Sequence, residues 1–398
     1  AFSTLGGMFV AATTDLIMIF VGIELSSLAV FVLAAFSRRR RESIEGALKY
    51  FLLSAFATAI LLYGMAWLYG VTGSTNLGDI AASVNSILHA PGADETTAVP
   101  LRPMLLLGMI ALAAGLFFKI SAVPFHMWAP DAYEGAPTPV TAFLSTGSKA
   151  ASFALFARIF LEGLGGMRAE WAPLLGVVAA ITIMVGNWAA VTQTNSKRLL
   201  AYSSVSNAGY LLLGIIAANR YGYVGLALYL LVYTLMNIGA FGIIISLHRR
   251  GVVGEQVDDL KGLAQKDPVM AAAMAVFMLS LGGLPLTGGF IGKWFLFGGL
   301  LQRGKEEGKN WYYWLALWAI INTVVSFYYY VRFIRVMYLD ERAADVRPLS
   351  LSPALRVALG VAVFGIIAVG VYPQPFINFA QSIVSSLAGA VGGTIAVR

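Results

Sequence analysis

Cysteine is absent from the 398 residues. That excludes disulfides, a Cys-ligated metal site and an iron–sulfur cluster held by this chain. Charge is scarce as well: Asp, Glu, Lys and Arg make up 12% of the sequence, about half the share usual in a soluble domain. Also missing are a Gly-x-Gly-x-x-Gly turn at a strand–helix junction, a P-loop and an H-E-x-x-H helix, so nucleotide and zinc chemistry have no support. No signal peptide or soluble domain is expected.

What fills the chain instead is hydrocarbon. Hydrophobic residues reach 59% and the mean hydropathy is +0.77. Apolar runs of about 20 residues recur from end to end, each long enough to cross a hydrocarbon core of ~30 Å. The composition reads as an all-α membrane protein, a polytopic helical bundle lying in the lipid bilayer. The net charge of +7 is then loop charge that sets topology, not a nucleic-acid footprint.

About eleven segments meet that length criterion, near 1–13 (partial), 15–36, 43–70, 103–128, 138–162, 172–193, 197–218, 222–248, 268–302, 311–339 and 353–384. The first starts mid-pattern without an initiator Met, so earlier helices are expected upstream. Residues 71–102 read as the one long loop. Arg38 to Arg41, Lys197 with Arg198, Arg249 with Arg250, Lys261, Lys266, Arg342 and Arg347 fall on alternate connections and therefore on one face. The opposite face carries Asp79, Asp94 and Glu95. Positive-inside bias makes the first face cytoplasmic and puts the C-terminus outside.

A few charges do not sit at helix ends. Glu24, Lys119, Lys149 and Lys293 stand inside apolar runs, and Lys49 lies one turn after Glu45. An ionisable group at membrane depth costs at least ~2.5–3.5 kcal/mol, so several together ask for a function. The competing explanation is snorkelling or a structural ion pair, which fits Lys49 best because it is near a helix start. Four deep charges, three of them lysines, suggest a proton path. Desolvation narrows the free-energy gap between ammonium and amine, so a lysine there can exchange protons.

Two prolines add to this. Pro124 follows Lys119, and Pro285 precedes Lys293 among Gly282, Gly283, Gly288, Gly289 and Gly292. Each proline removes a backbone donor. Broken helices at membrane depth are tolerated where they line a wet cavity, and a pair in two halves points to an inverted-repeat transporter. An ordinary kink is the alternative for either one alone. His126 reads as a helix-end residue or a proton shuttle, and His89 and His248 as solvated. The Tyr328 to Tyr330 run reads as packing and interfacial belt.

At these residues a family resemblance emerges. FHMWAPDAYEGAPTPVTAFLSTGSKAA (125–151), ESIEGALKYFLLSAF (42–56), TNSKRLLAYSSVSNAGYLLLG (194–214) and LSLGGLPLTGGFIGKWFLF (279–297) resemble the antiporter-like membrane subunits of respiratory complex I. The YEGAPTP form at 133–139 is most similar to the subunit N branch of bacterial NADH–quinone oxidoreductase, a branch with counterparts in mitochondria and in the related chloroplast dehydrogenase. The resemblance implies fourteen helices in the family and one transmembrane domain over 1–398. Half-channels would lie near 1–162 and 172–339, related by an inverted repeat, with a final helix near 353–384. It also implies that Glu24 pairs with Lys119, and that Lys49, Lys149 and Lys293 continue a row of charges along the midplane. Relatives often carry His where this chain has Asn207, which cannot titrate.

The function so implied is proton translocation within a translocase that passes electrons from NADH to quinone. FMN, iron–sulfur clusters and quinone would sit in partner subunits, with no cofactor in this chain. The partners would be other membrane-arm subunits, the location a bacterial inner membrane, and the C-terminus periplasmic. A multisubunit cation/proton antiporter without redox chemistry is the alternative, opposed by the YEGAPTP form.

Overall fold

A computed structural model describes residues 1–89, 101–248, 255–340 and 352–390. Asp94, Glu95, Arg249, Arg250, Arg342 and Arg347 lie outside the described residues, as do the side chains of His89 and His248. Among the described residues the chain is helical, with two isolated β-bridges, Asp15–Asn76 and Asn195–Gln256.

The principal helices are α1 (Phe2–Ala12), α2 (Leu16–Ala34), α3 (Arg41–Thr72), α4 (Leu77–His89), α5 (Leu101–Ile120), α6 (Trp128–Gly135), α7 (Thr138–Phe143) and α8 (Lys149–Arg158). They continue with α9 (Arg168–Val191), α10 (Ser196–Ala217), α11 (Arg220–His248), α12 (Pro268–Gly282), α13 (Gly288–Glu307), α14 (Trp311–Tyr338), α15 (Pro353–Val371) and α16 (Gln374–Ala390). Local chemistry sets many of the ends. Asp15 caps α2 by accepting from the amides of Ile17 and Met18 at 2.9 and 3.1 Å, Asn195 caps α10 and Asp267 caps α12; each satisfies an amide that has no partner in the first turn.

Among the described residues, 8 unbroken helices are long and apolar enough to cross a membrane, beside the eleven segments expected from the sequence. The difference has physical causes. Segment 1–13 holds only the 11-residue α1, and 268–302 divides at Gly283 into α12 and α13; 353–384 divides before Gln374 into α15 and α16, of which α15 is among the 8. Segment 138–162 is α7 and α8 joined by a π-helical turn at Leu144–Ser148, with another at Ile159–Gly163. The expected loop 71–102 contains α4, whose Leu77, Ile80 and Val84 recur at helical spacing and are buried.

α10 is the axle of the bundle: 94% of its apolar window is buried. α2, α3 and α15 lie at the rim, with 28–33% buried. Their exposed leucines, valines and phenylalanines suit a hydrocarbon solvent, in which polar atoms turn inward. Arg40, Lys197 and Glu255 meet at one end of the bundle. The starts of α2 and α4 pair at the other, where the Leu16 amide donates to the Thr75 carbonyl.

Candidate functional site

The three interior lysines sit where a helix loses its regular bonding. α5 stops at Ile120, one residue after Lys119. Ser121 then turns into the left-handed region (φ 61°) before Pro124, and the helix resumes as α6. α12 stops at Gly282; Gly283 (φ 84°) and Leu286 (φ 72°) make the second break, and α13 carries Lys293 on its second turn. Lys149 follows the π-helical turn directly. Such turns leave backbone groups unpaired and gather at functional positions.

Lys119 Nζ donates to Ser27 Oγ at 2.9 Å and Ser54 Oγ at 3.1 Å, hydroxyls from α2 and α3. It borders a small cavity of about 30 Å³, room for about one water, that Ser26, Ser148 and Ser152 also line. Close by in the chain, the buried Ser121 Oγ and His126 Nδ1 have no hydrogen-bond partner. A polar cavity and orphaned polar atoms at a break are what a water-filled gap provides for.

Lys149 is 2% exposed and donates to the Ser204 carbonyl at 2.5 Å. Lys293 is 3% exposed and donates to the Leu281 carbonyl at 3.0 Å, with Gly282 O at 3.5 Å. It therefore caps the C-terminal end of α12, where helix carbonyls carry partial negative charge. Its Nζ also lies 4.7 Å from the centre of the Tyr210 ring. Among the described residues, none of the three lysines has a carboxylate within ion-pair distance.

The expected Glu24–Lys119 pair makes no direct contact in this structure. Glu24 does not reach Lys119; its Oε1 accepts from Thr58 Oγ1 at 3.0 Å. Ser27, one turn along α2, intervenes and holds the lysine instead.

Lys49 stands apart from the row. Its side chain is 46% exposed and pairs with Glu45 and Asp131, each at 2.8 Å. It lies nine residues after Arg40, the N-cap of a 32-residue helix, which at 1.5 Å per residue is about 48 Å long, more than a ~30 Å core requires. Asp131 also accepts from Arg198, which reaches Glu134 at 2.8 Å.

Sequence reasoning missed several partners. Lys197, read as a loop charge, is fully buried and donates to the Ala136 carbonyl at 2.9 Å and to Glu255 at 3.3 Å. Glu255 in turn accepts both terminal nitrogens of Arg40 at 2.6 and 2.9 Å. Burial works against the Glu255 carboxylate, but hydrogen bonding and charge from Arg40 and Lys197 outweigh it and hold the group below its ordinary range. Tyr329 and Tyr330 are interior hydrogen-bonding groups, 0% and 1% exposed, not an interfacial belt; only Tyr328 faces outward, at 65%. The four-residue spacing of Tyr229 and Tyr233 was the available signal, since it puts two hydroxyls on one helix face.

Helices broken beside interior lysines, packed round a buried polar axle, define a membrane protein of antiporter-like build. Residues 13–325 match the family described as NADH:quinone oxidoreductase/Mrp antiporter, TM, and the chain belongs to that family. It is 48% identical over 381 residues to NADH-quinone oxidoreductase subunit N 2 of Solibacter usitatus, covering 96% of this chain and 74% of that relative. Among solved structures it resembles a chain of respiratory complex I from Thermus thermophilus with bound aureothin: 34% identity, TM-score 0.76, covering 95% of this chain and 78% of that one. A chain of the Mrp complex from Dietzia sp. shares the fold, with TM-score 0.83 at 21% identity and coverage of 100% and 78%.

Proposed function

We propose that protons cross the membrane through this chain by way of Lys119, Lys149 and Lys293. The chain is an antiporter-like, proton-pumping membrane subunit of bacterial NADH–quinone oxidoreductase and resides in the inner membrane with the other membrane-arm subunits. FMN, the iron–sulfur clusters and quinone belong to partner subunits, and this chain contributes the proton route. An antiporter without redox partners is the second reading, supported by the shared family description and by fold-level likeness, while the 48% identity to a subunit N favours the first.

The reading is carried by one observation: three lysines at helix irregularities, each held by neutral hydroxyl or carbonyl oxygens rather than by a carboxylate. A neutral partner stabilises the ammonium without locking it, so the proton can leave when the surroundings change. His126, beside the first gap, acts as a shuttle to Lys119. Glu24 acts on Lys119 across Ser27 as a nearby charge. Lys49 and Asp131 serve at the mouth on the basic end. The two half-channels fall near 1–162 and 172–339, each with one broken helix and its lysine, before a final segment near 353–384. The basic end faces the cytoplasm and the C-terminus the periplasm.

The test is Lys293→Ala in the assembled complex. Proton-to-electron stoichiometry should fall while the subunit stays inserted. Normal coupling in that variant would remove Lys293 from the route.

A further inference from the structure

A seam of buried hydroxyls runs along α10 between Lys149 and Lys293. On the Lys149 side, Ser204 gives its carbonyl to the lysine and accepts from Tyr233 OH at 2.8 Å. One residue earlier, Ser203 Oγ and Tyr330 OH lie 2.5 Å apart. On the other side, Tyr229 packs on Gly292, the neighbour of Lys293: a Cβ there would stand 2.6 Å from Tyr229 Cδ2.

Asn207 stands between them, 1% exposed. Its Oδ1 accepts from Tyr229 OH at 2.5 Å. Its Nδ2 donates to the Ser203 carbonyl at 2.9 Å and reaches Ser203 Oγ at 3.3 Å and Tyr330 OH at 3.4 Å. A row of hydroxyls passes a proton because each oxygen both accepts and donates. A carboxamide has no such atom, since its oxygen only accepts and its nitrogen only donates. Asn207 therefore ties the hydroxyls on its two sides together by hydrogen bonds without offering an atom that relays a proton between them.

We propose that Asn207 is a gate. Its amide ties Tyr229 to one end and Ser203 with Tyr330 to the other, which holds the seam non-conducting. A proton passes when a phenol leaves Asn207 and meets the hydroxyl beyond it. In that step the Lys149 ammonium turns from the Ser204 carbonyl to a neighbouring hydroxyl and gives up one N–H proton to it. Each hydroxyl hands on its own proton, and the neutral amine of Lys293 takes the last, so no hydroxyl changes its charge. The phenols come from different helices, α11 and α14, so a small shift of either against α10 opens the gate.

The inference rests on the lysine route proposed above. The test uses the intact complex in proteoliposomes, reading the decay of an imposed pH gradient and the proton-to-electron ratio. Asn207→Leu keeps the size and removes both ties; the gradient should decay faster and the ratio should fall. A gradient as tight as wild type with a normal ratio overturns the gate. So does slower turnover with a tight gradient, which would make Asn207 a conductor. Should the leucine variant fail to assemble, Tyr229→Phe cuts one tie while keeping the ring and should leak in the same sense; wild-type tightness there also overturns the proposal. Lys149→Arg, measured alongside, separates the two readings. If it pumps normally the lysine route falls, whereas if it fails and Asn207→Leu stays tight, only the gate falls.

Discussion

At the first break Lys119 reaches sideways to Ser27 and Ser54 on neighbouring helices, beside a cavity. At the second, Lys293 folds back onto the Leu281 and Gly282 carbonyls of its own broken helix, in a nearly dry interior. The partners differ in kind. A hydroxyl both accepts and donates, so Ser27 and Ser54 can join a water chain; a carbonyl only accepts, so Leu281 and Gly282 orient the Lys293 Nζ but cannot themselves relay a proton. On the proposed route, the first site is the one placed to exchange protons with water. The second couples the proton on Lys293 to the end of α12.

Substitutions can break or sharpen this contrast. The largest effect is expected at Gly289, where a Cβ would lie 1.8 Å from the Ser280 carbonyl oxygen. Gly289→Ala should prevent the second break from closing and destabilise the subunit by at least about 3 kcal/mol. Little subunit should remain in the purified complex, whereas Gly70→Ala, with nothing within 4 Å, should assemble normally. Equal yields of the two would refute the tight second break.

Next come the lysines themselves. Lys119→Met and Lys293→Met should each slow NADH-to-quinone turnover by roughly tenfold or more, a barrier increase of about 1.4 kcal/mol. Both variants relieve the ~2.5–3.5 kcal/mol cost of a charge at depth, but only Lys293→Met also uncaps α12, at about 1 kcal/mol, so its melting temperature should rise less than that of Lys119→Met. Matched melting curves for the two variants would erase the distinction drawn here.

The break backbones give a smaller contrast. Gly283 sits at φ 84°, so Gly283→Ala should cost about 1–2 kcal/mol. Ser121, a non-glycine at φ 61°, should gain up to about 1 kcal/mol when replaced by glycine. Melting shifts of the same sign would contradict these assignments.

The smallest effect concerns the clamp far from both breaks. Glu255 is held below the ordinary carboxylate range in the folded state. Such a group favours folding above its unfolded pKa, and the benefit is lost as pH falls through the folded value. The melting temperature of the complex should hold down to pH ~5 and then drop, less steeply in Glu255→Gln. Identical slopes would show that the clamp does not govern acid stability.

Much of this was legible in the sequence. Lysines inside apolar runs announce themselves because hydrocarbon penalises charge, and both breaks followed from Pro124 and from the glycines around Pro285. The seam was not legible, because a tyrosine in an apolar run packs like phenylalanine until its hydroxyl partner is known. Lys197 looks like a loop charge because its carboxylate, Glu255, lies 58 residues away in the chain. The Glu24–Lys119 contact is absent for a similar reason: Ser27 on the same helix face intercepts the lysine. Lys49 is exposed and ion-paired, as its place near a helix start suggests, but its partner Asp131 lies 82 residues away in the chain and could not be read from the sequence.

The most direct measurement is proton pumping by the complex carrying Lys119→Arg, reconstituted in sealed vesicles and driven by NADH. Arginine keeps the positive charge but does not deprotonate in proteins. If Lys119 carries protons, the variant should assemble yet fail to restore pumping above the level of Lys119→Met. Pumping at the wild-type rate and stoichiometry would contradict proton exchange at this lysine and leave it a fixed charge.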